Sequence, residues 1–264
     1  MEVLGQCIEL NTQAIIRMRE GKFVESSLML NNALEKLELC LQEPSPQSMY
    51  TTSPTRNGHP SSSSHGRHSA SPVTDISEAA PSEQAHGSCQ YTSVSIESPL
   101  TNQIVKKATP ENVFSFYPRM FHVTCKGRAD PMELMKITMI VMFNEALARH
   151  AIALMYLSQC KVNPEKHLTR VLGLYQKIMV LAQSCFQYSD VREMLCVLVA
   201  ATNNYGHISS QLLLFNETRE SINHIIQLLA LSNEHSFLPD DVRLFFESVC
   251  IFLEGRTLRN APAA

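Results

Sequence analysis

The chain has 264 residues, of which 44% are hydrophobic and 18% charged, and its formal net charge is -3 at a pI near 6.4. A length beyond the ~150 residues of an average domain fits one compact domain plus additional material, or two small domains. The weak acidic balance carries neither the basic patch of a nucleic-acid binder nor the polybasic run of a membrane-surface protein, so no nucleic acid and no membrane is expected as a partner.

In chain order, residues 1–42 come first, rich in Leu, Ile and Met and free of proline. Their periodicity predicts an N-terminal helical hairpin. Residues 43–110 differ in kind: they hold eight of the thirteen prolines, the Ser61–Ser64 run, four histidines (His59, His65, His68, His86) and only Tyr50 and Tyr91 as aromatics. Such a composition buries too little apolar surface to offset its ordering entropy, so the segment is expected to be a disordered Ser/Pro/His-rich linker. Ser45, Ser53, Ser71, Ser98 and Thr109 each precede a proline there and are candidates for proline-directed phosphorylation, which adds about -1.5 to -2 charges per site.

Residues 111–264 return to apolar, periodic sequence. The first part, 111–129, carries Phe114, Phe116, Tyr117, Phe121 and Val123 but has Pro118 in its middle. Proline there argues against a regular strand or helix and predicts an extended segment lying on the helical core. Asp130-Pro131-Met132-Glu133 reads as a capping box that opens a helix running to about Cys160. Asn163-Pro164 opens the next, Asp190-x-x-Glu193 a third ending near Leu213, Asn216 a fourth ending near Leu231, and Pro239-Asp240-Asp241 a fifth ending at Gly255. Loops are short and nothing alternates with period two for long, so the class is all-α.

No apolar run approaches the ~18 residues of a membrane-spanning helix. Met1-Glu2-Val3 shows no basic leader stretch. The eight cysteines lie too far apart for zinc-finger spacing. They are expected to be buried free thiols in a reducing compartment, cytoplasmic or nuclear, with only Cys89 and Cys125 exposed enough for a redox role.

A self-similarity emerges in the helical zones. In residues 8–37, small Ala14 precedes turn Gly21, post-turn Phe23, then Ser26, Leu30 and Ala33. In residues 202–229, Gly206, Phe215, Thr218, Ile222 and Ile225 follow at the same offsets, with Leu213 in place of the turn glycine. A third copy is split: Ala146 takes the small position after Met142-Phe143-Asn144-Glu145, and Leu174–Ile178 matches the second helix. The pattern resembles the tetratricopeptide-repeat (TPR) family over roughly 150 residues of the chain. The resemblance implies antiparallel helical hairpins stacked as a short TPR-like solenoid, interrupted by the long disordered insertion. Residues 1–42 would dock on a TPR-like stack formed by 111–264, since a lone hairpin of that size is unstable.

The family resemblance also implies a concave groove lined by first-helix residues: Asn11, Ile15, Met18 and Arg19; Phe143, Leu147 and His150; Asn203, His207, Ser210 and Gln211. Ile15 and Leu147 stand where a carboxylate-clamping groove would need polar groups, so a mixed apolar and polar peptide groove is expected, with the chain's own 111–125 segment a candidate occupant. No GxGxxG, P-loop, HExxH or GxSxG pattern is present. No catalytic residue, cofactor or metal ligand is assigned, and His150, His167, His207 and His224 are each isolated in the sequence. The expected function is a non-catalytic adaptor or scaffold binding a protein or peptide. The alternative is a helical-bundle enzyme or small-ligand protein using a pocket near His150, His207 or Tyr205; a basic stripe on the fold would revive nucleic-acid binding.

Overall fold

The computed structural model describes residues 2–42, 88–97, 101–104, 114–160, 163–186 and 194–233, together with 242, 245 and 246. The described residues are mostly helical. In order it forms α1 (Glu2–Arg19), α2 (Phe23–Gln42), β1 (Ser88–Ser95), β2 (Arg119–Lys126), α3 (Pro131–Ser158), α4 (Pro164–Phe186), α5 (Leu195–Gln211) and α6 (Phe215–Asn233). Each helix packs chiefly on its neighbours in that order, from α1 on α2 through to α5 on α6, and β2 lies against α1 and α3.

Helical periodicity decides which faces are buried. In α1 the buried residues are Cys7, Asn11, Ala14, Ile15 and Met18; in α2 they are Phe23, Ser26, Ser27, Leu30, Ala33 and Leu37. Both sets follow the spacing of one helical face. Small residues at the contact, Ala14 on α1 and Ser26 and Ala33 on α2, bring the helices together. Gly21, at φ 75°, turns the chain between them. Its N–H bonds Met18 O and the Lys22 N–H bonds Arg17 O, satisfying carbonyls at the end of α1.

The α5–α6 turn repeats this hydrogen bonding: Leu213 N–H bonds Ser210 O and Leu214 N–H bonds Ser209 O. Leu213 holds the left-handed conformation at φ 58°, where α1–α2 uses glycine. α6 therefore begins at Phe215, one residue before the cap expected at Asn216. Phe215 is also 77% exposed, unlike its counterpart Phe23 at 2%, so the post-turn aromatic is a core residue in one hairpin only.

α3 is the central helix. Asp130 caps it by accepting from the Glu133 N–H at 2.8 Å, and Pro131 starts it. The reciprocal half of a capping box is not made: the Glu133 carboxylate takes Tyr91 Oη and Lys136 Nζ instead. By length and composition α3 is apolar enough to cross a membrane, contrary to the expectation from unbroken apolar runs, yet 78% of its most apolar window is buried inside the fold. Asn144, Glu145 and His150, all buried on it, mark the interior of a protein rather than a lipid-facing surface.

Three sequence expectations change. Ser88–Ser95, inside the stretch read as linker, is a β-strand, while residues 43–87 and the candidates Ser45, Ser53, Ser71, Ser98 and Thr109 lie outside the described residues. The 111–129 region contains a regular strand despite Pro118, so a two-stranded antiparallel sheet joins the helices, in register from Ser88↔Lys126 to Ser95↔Arg119. Pro118 is tolerated because it precedes the strand and supplies only its carbonyl, which accepts from Ile96 N–H at 3.0 Å. Finally, Cys89 and Cys125, opposite each other in register, form a disulfide rather than free thiols.

Leu30 is fully buried and Leu28, on the same helix, is 67% exposed. Urea unfolding should show Leu30→Ala costing about 2–5 kcal/mol, against no more than about 0.5 kcal/mol for Leu28→Ala.

Candidate functional site

The extended segment 114–126 crosses α5, α3 and α1, and its main chain is held by asparagine side chains. Asn204 on α5 accepts from Tyr117 N–H at 2.9 Å and donates to Tyr117 O at 3.3 Å. Asn144 on α3 accepts from Phe121 N–H at 2.9 Å and donates to Phe121 O at 2.8 Å. Asn11 on α1 donates to the same carbonyl at 3.1 Å and accepts from Asn144 Nδ2 at 2.7 Å. Asn203 donates to Ser115 O at 2.8 Å. A primary amide carries both a donor and an acceptor, so one side chain replaces the two ladder bonds that a neighbouring strand would supply.

The opposite edge of the strand is paired with β1. Arg19, near the end of α1, donates from Nε to Ser95 O at 3.1 Å. Thr12 donates to Ile8 O at 3.0 Å and accepts from His122 Nε2 at 3.0 Å. The segment is thus tied to α1 across more than a hundred residues of chain.

Between the amide contacts, aromatic side chains fill the space. Phe121 meets Phe143 edge-on, with ring centroids 5.2 Å apart. Phe116 stacks edge-on against His150 at 4.8 Å and lies 5.9 Å from His207. Tyr117 packs against Phe245 and Phe246. Phe114 covers Gly206 so closely that a Cβ there would lie 2.5 Å from its ring. The glycine of this small position is therefore a requirement of the segment rather than of the helix.

Beneath Phe116 lies a buried polar chain. Asn204 Nδ2 donates to Tyr175 Oη at 3.2 Å, Tyr175 Oη lies 3.4 Å from His150 Nδ1, and His150 Nε2 lies 3.1 Å from His207 Nδ1. One tautomer set satisfies the chain: the Tyr175 proton points to His150 Nδ1, and His150 donates from Nε2 to His207. Burial holds the His150 imidazole well below its ordinary value, with the neighbouring His207 adding to the effect. Burial alone pushes His207 down to about 3 and the Tyr175 phenol up. All three are neutral at physiological pH.

Of the projected groove residues, Asn11 and Asn203 hold the segment's main chain, while Phe143, His150 and His207 contact its rings. Arg19 reaches β1. Ile15, Met18 and Leu147 are buried in the core. Ser210 lies at the end of α5, where its carbonyl caps the turn. Gln211 ends that helix, and neither its side-chain oxygen nor its nitrogen has a hydrogen-bond partner among the described residues. The main bidentate asparagines, Asn144 and Asn204, stand one residue beyond the projected Phe143 and Asn203. Their signal was an asparagine two or three residues ahead of each small position: Asn11 before Ala14, Asn144 before Ala146, and Asn203 and Asn204 before Gly206. Tyr205 does not join the histidines; partial burial, with Glu217 and Glu220 of α6 nearby, raises its phenol. Among the described residues no cluster of three or more His, Cys, Asp or Glu could hold a metal ion.

Compared with family models, with curated proteins and with solved structures, the chain matches none.

Two outcomes follow. Gly206→Ala should destabilise the chain, because Phe114 must move. In a Phe114→Ala background the same change should stabilise it by up to about 1 kcal/mol, the helical preference for alanine over glycine, a reversal of sign read by urea unfolding of the four chains. Stability should also fall on acidification. An unfolded histidine takes a proton below about 6.5, whereas folded His207 does so only near 3, so the contribution is complete above 6.5 and lost as pH drops toward 3. The slope climbs toward about 1.4 kcal/mol per pH unit for each histidine as pH falls below 6.5 and averages about 1 kcal/mol over the first unit, and His207→Gln should remove one such proton. Glu145, raised by burial, opposes this trend just above its ordinary 4.5, so the slope is best read between about pH 6.5 and 5.5.

Proposed function

We propose that the chain is a non-catalytic adaptor, a short TPR-like stack of helical hairpins that grips protein segments in extended form. The observation that carries this reading is that asparagines from three helices, Asn11, Asn144 and Asn204, bind the main chain of one extended segment. Main-chain recognition of this kind supplies affinity without regard to sequence, and the aromatic positions supply selectivity. The matching turns of α1–α2 and α5–α6 support a repeat. In this reading the resident 114–126 segment fills, in cis, the place of a peptide ligand.

The buried chemistry also favours binding over catalysis. His150 and His207 are fully buried beneath Phe116 and neutral, and a general base must reach the proton it abstracts. The alternative of a pocket enzyme would need a route to those buried rings. A cleft of about 520 Å³ beside α1 and α2 is lined by Glu2, Gln6, Glu9, Asn32 and Lys36 and does not include the histidines.

A photo-crosslinking amino acid at Gln13 or Arg19, both exposed on α1, tests the reading in the native cell. Both positions should yield the same discrete protein adducts, and Asn204→Ala with unchanged helicity should reduce them at least fivefold. Absence of discrete adducts from either position, with the chain folded, would sink the adaptor reading.

A further inference from the structure

We propose that the hairpin carrying the resident segment is a redox-gated plug, and that opening Cys89–Cys125 exposes the groove to an extended segment of a partner protein. This rests on the adaptor reading above and names how its groove is regulated. The partner segment would carry an aromatic pair followed four residues later by another aromatic, as Phe116-Tyr117 and Phe121 do here.

Three observations converge. First, the disulfide sits on the plug itself: Cys125 belongs to the strand lying on α1 and α3, Cys89 to the strand that covers its outer edge, and both are partly accessible. Cys7, Cys40 and Cys160 are free thiols, whereas this bond lies on the strand that crosses α1 and α3. It closes a loop of sequence separation 36 that contains the whole of the asparagine-held segment.

Second, the segment is attached by a form of contact suited to exchange. Apart from its pairing with β1 and the Ile96 N–H that bonds Pro118 O, its main chain is held by side-chain amides, which any extended backbone can satisfy. Beyond the strand ladder, its ties to β1 include the Cys89–Cys125 bond, Arg119 to Ser93 and the weak Ser93–Tyr117 contact at 3.4 Å.

Third, the resident segment leaves part of the groove unsatisfied. Asn203 is fully buried and donates to Ser115 O, yet its Oδ1 has no partner among the described residues, whereas Asn144 and Asn204 each use both ends of the amide. Further along α5, the buried Gln211 amide lacks partners at both atoms. An unmet buried polar atom is costly, and a strand continuing past the place of Ser115 would offer it an N–H.

The chemical step is thiol–disulfide exchange. Two equivalents of a thiol, or one protein dithiol, reduce the Cys89–Cys125 bond to two thiols and are themselves oxidised to a disulfide. The hairpin loses its covalent closure, and the fraction of chains with 114–126 lifted out rises.

The test uses the full chain. Hydrogen exchange is followed with the bond intact, after phosphine reduction, and in a Cys89→Ser/Cys125→Ser double variant under oxidising conditions. Reduction and the double variant should each speed exchange of the Tyr117 and Phe121 amides at least tenfold, while the centres of α3 and α5 keep their protection. In parallel, a fluorescent synthetic peptide spanning 114–124 should bind the reduced chain and the double variant at least tenfold more tightly than the oxidised chain. A peptide with alanine at the places of Phe116, Tyr117 and Phe121 should not bind. Unchanged exchange on reduction overturns the gate and leaves the adaptor reading standing. Loss of protection throughout the helices also overturns it, since the bond would then support the whole fold. Faster exchange without peptide binding overturns the groove as a peptide site and the adaptor reading with it. A concentration-dependent dimer on reduction, seen by light scattering, overturns the partner assignment in favour of a second copy of this chain.

Discussion

Buried main chain must find hydrogen bonds, and that constraint organises this protein. Helices satisfy their own backbone, so an extended segment laid across them would bring N–H and C=O groups into an interior that offers no ladder. Asn144 and Asn204 solve the problem with both ends of their amides, at 2.9 and 2.8 Å for Phe121 and 2.9 and 3.3 Å for Tyr117. Each asparagine has to be buried on a helix, where the residue type has a poor intrinsic preference. The shared contact of Asn11 and Asn144 with Phe121 O links α1 to α3, two helices that barely touch directly. The segment is therefore part of what keeps the N-terminal hairpin in place.

The rest of the interior follows from that placement. Phe114 occupies the space that Gly206 leaves, and Phe116 needs a flat partner, which His150 provides edge-on. A polar ring in such a place must be neutral and hydrogen-bonded, hence the run from Asn204 through Tyr175 to the two histidines. Asn204 serves both systems: its amide holds Tyr117 and its nitrogen also reaches Tyr175. A change at this residue would disturb backbone recognition and the histidine network together, and the two effects would not add independently.

Much of the helical framework was legible because its signals are local. The periodic faces of α1 and α2, Gly21 in its turn, and the Asp130-Pro131 opening of α3 are each set by a few neighbouring residues. β1 was not legible. Its sequence, SCQYTSVS, lies in Ser-rich surroundings, and its pairing partner is more than twenty residues away. The disulfide was hidden for the same reason, since only the register brings Cys89 opposite Cys125. The recurring asparagines lie within single helices, yet their role needed the path of the crossing segment. A projection along one helix selects a face, and neighbouring residues such as Asn203 and Asn204 can both reach a chain that runs obliquely over it. Pro118 is compatible with β2 because of its position: a proline just ahead of a strand withholds nothing that the ladder requires.

In the adaptor reading the groove is not an empty site awaiting a ligand. Phe143 lies under the segment, and the segment itself buries Phe116, Tyr117, Met120, Phe121 and Val123. Exposed to water, those faces would form a contiguous apolar patch of the kind that drives association. The covered state is therefore the favoured one, and in the adaptor reading a partner would enter by exchange with the resident strand. A tethered strand competes at an effective concentration on the order of millimolar, and a ligand for the open state sees its affinity reduced by the fraction of molecules open. The strength of partner binding would then depend less on the contacts a partner makes, which copy those of the resident, than on how firmly the hairpin is held. In this chain the covalent part of that hold is a single bond between β1 and β2.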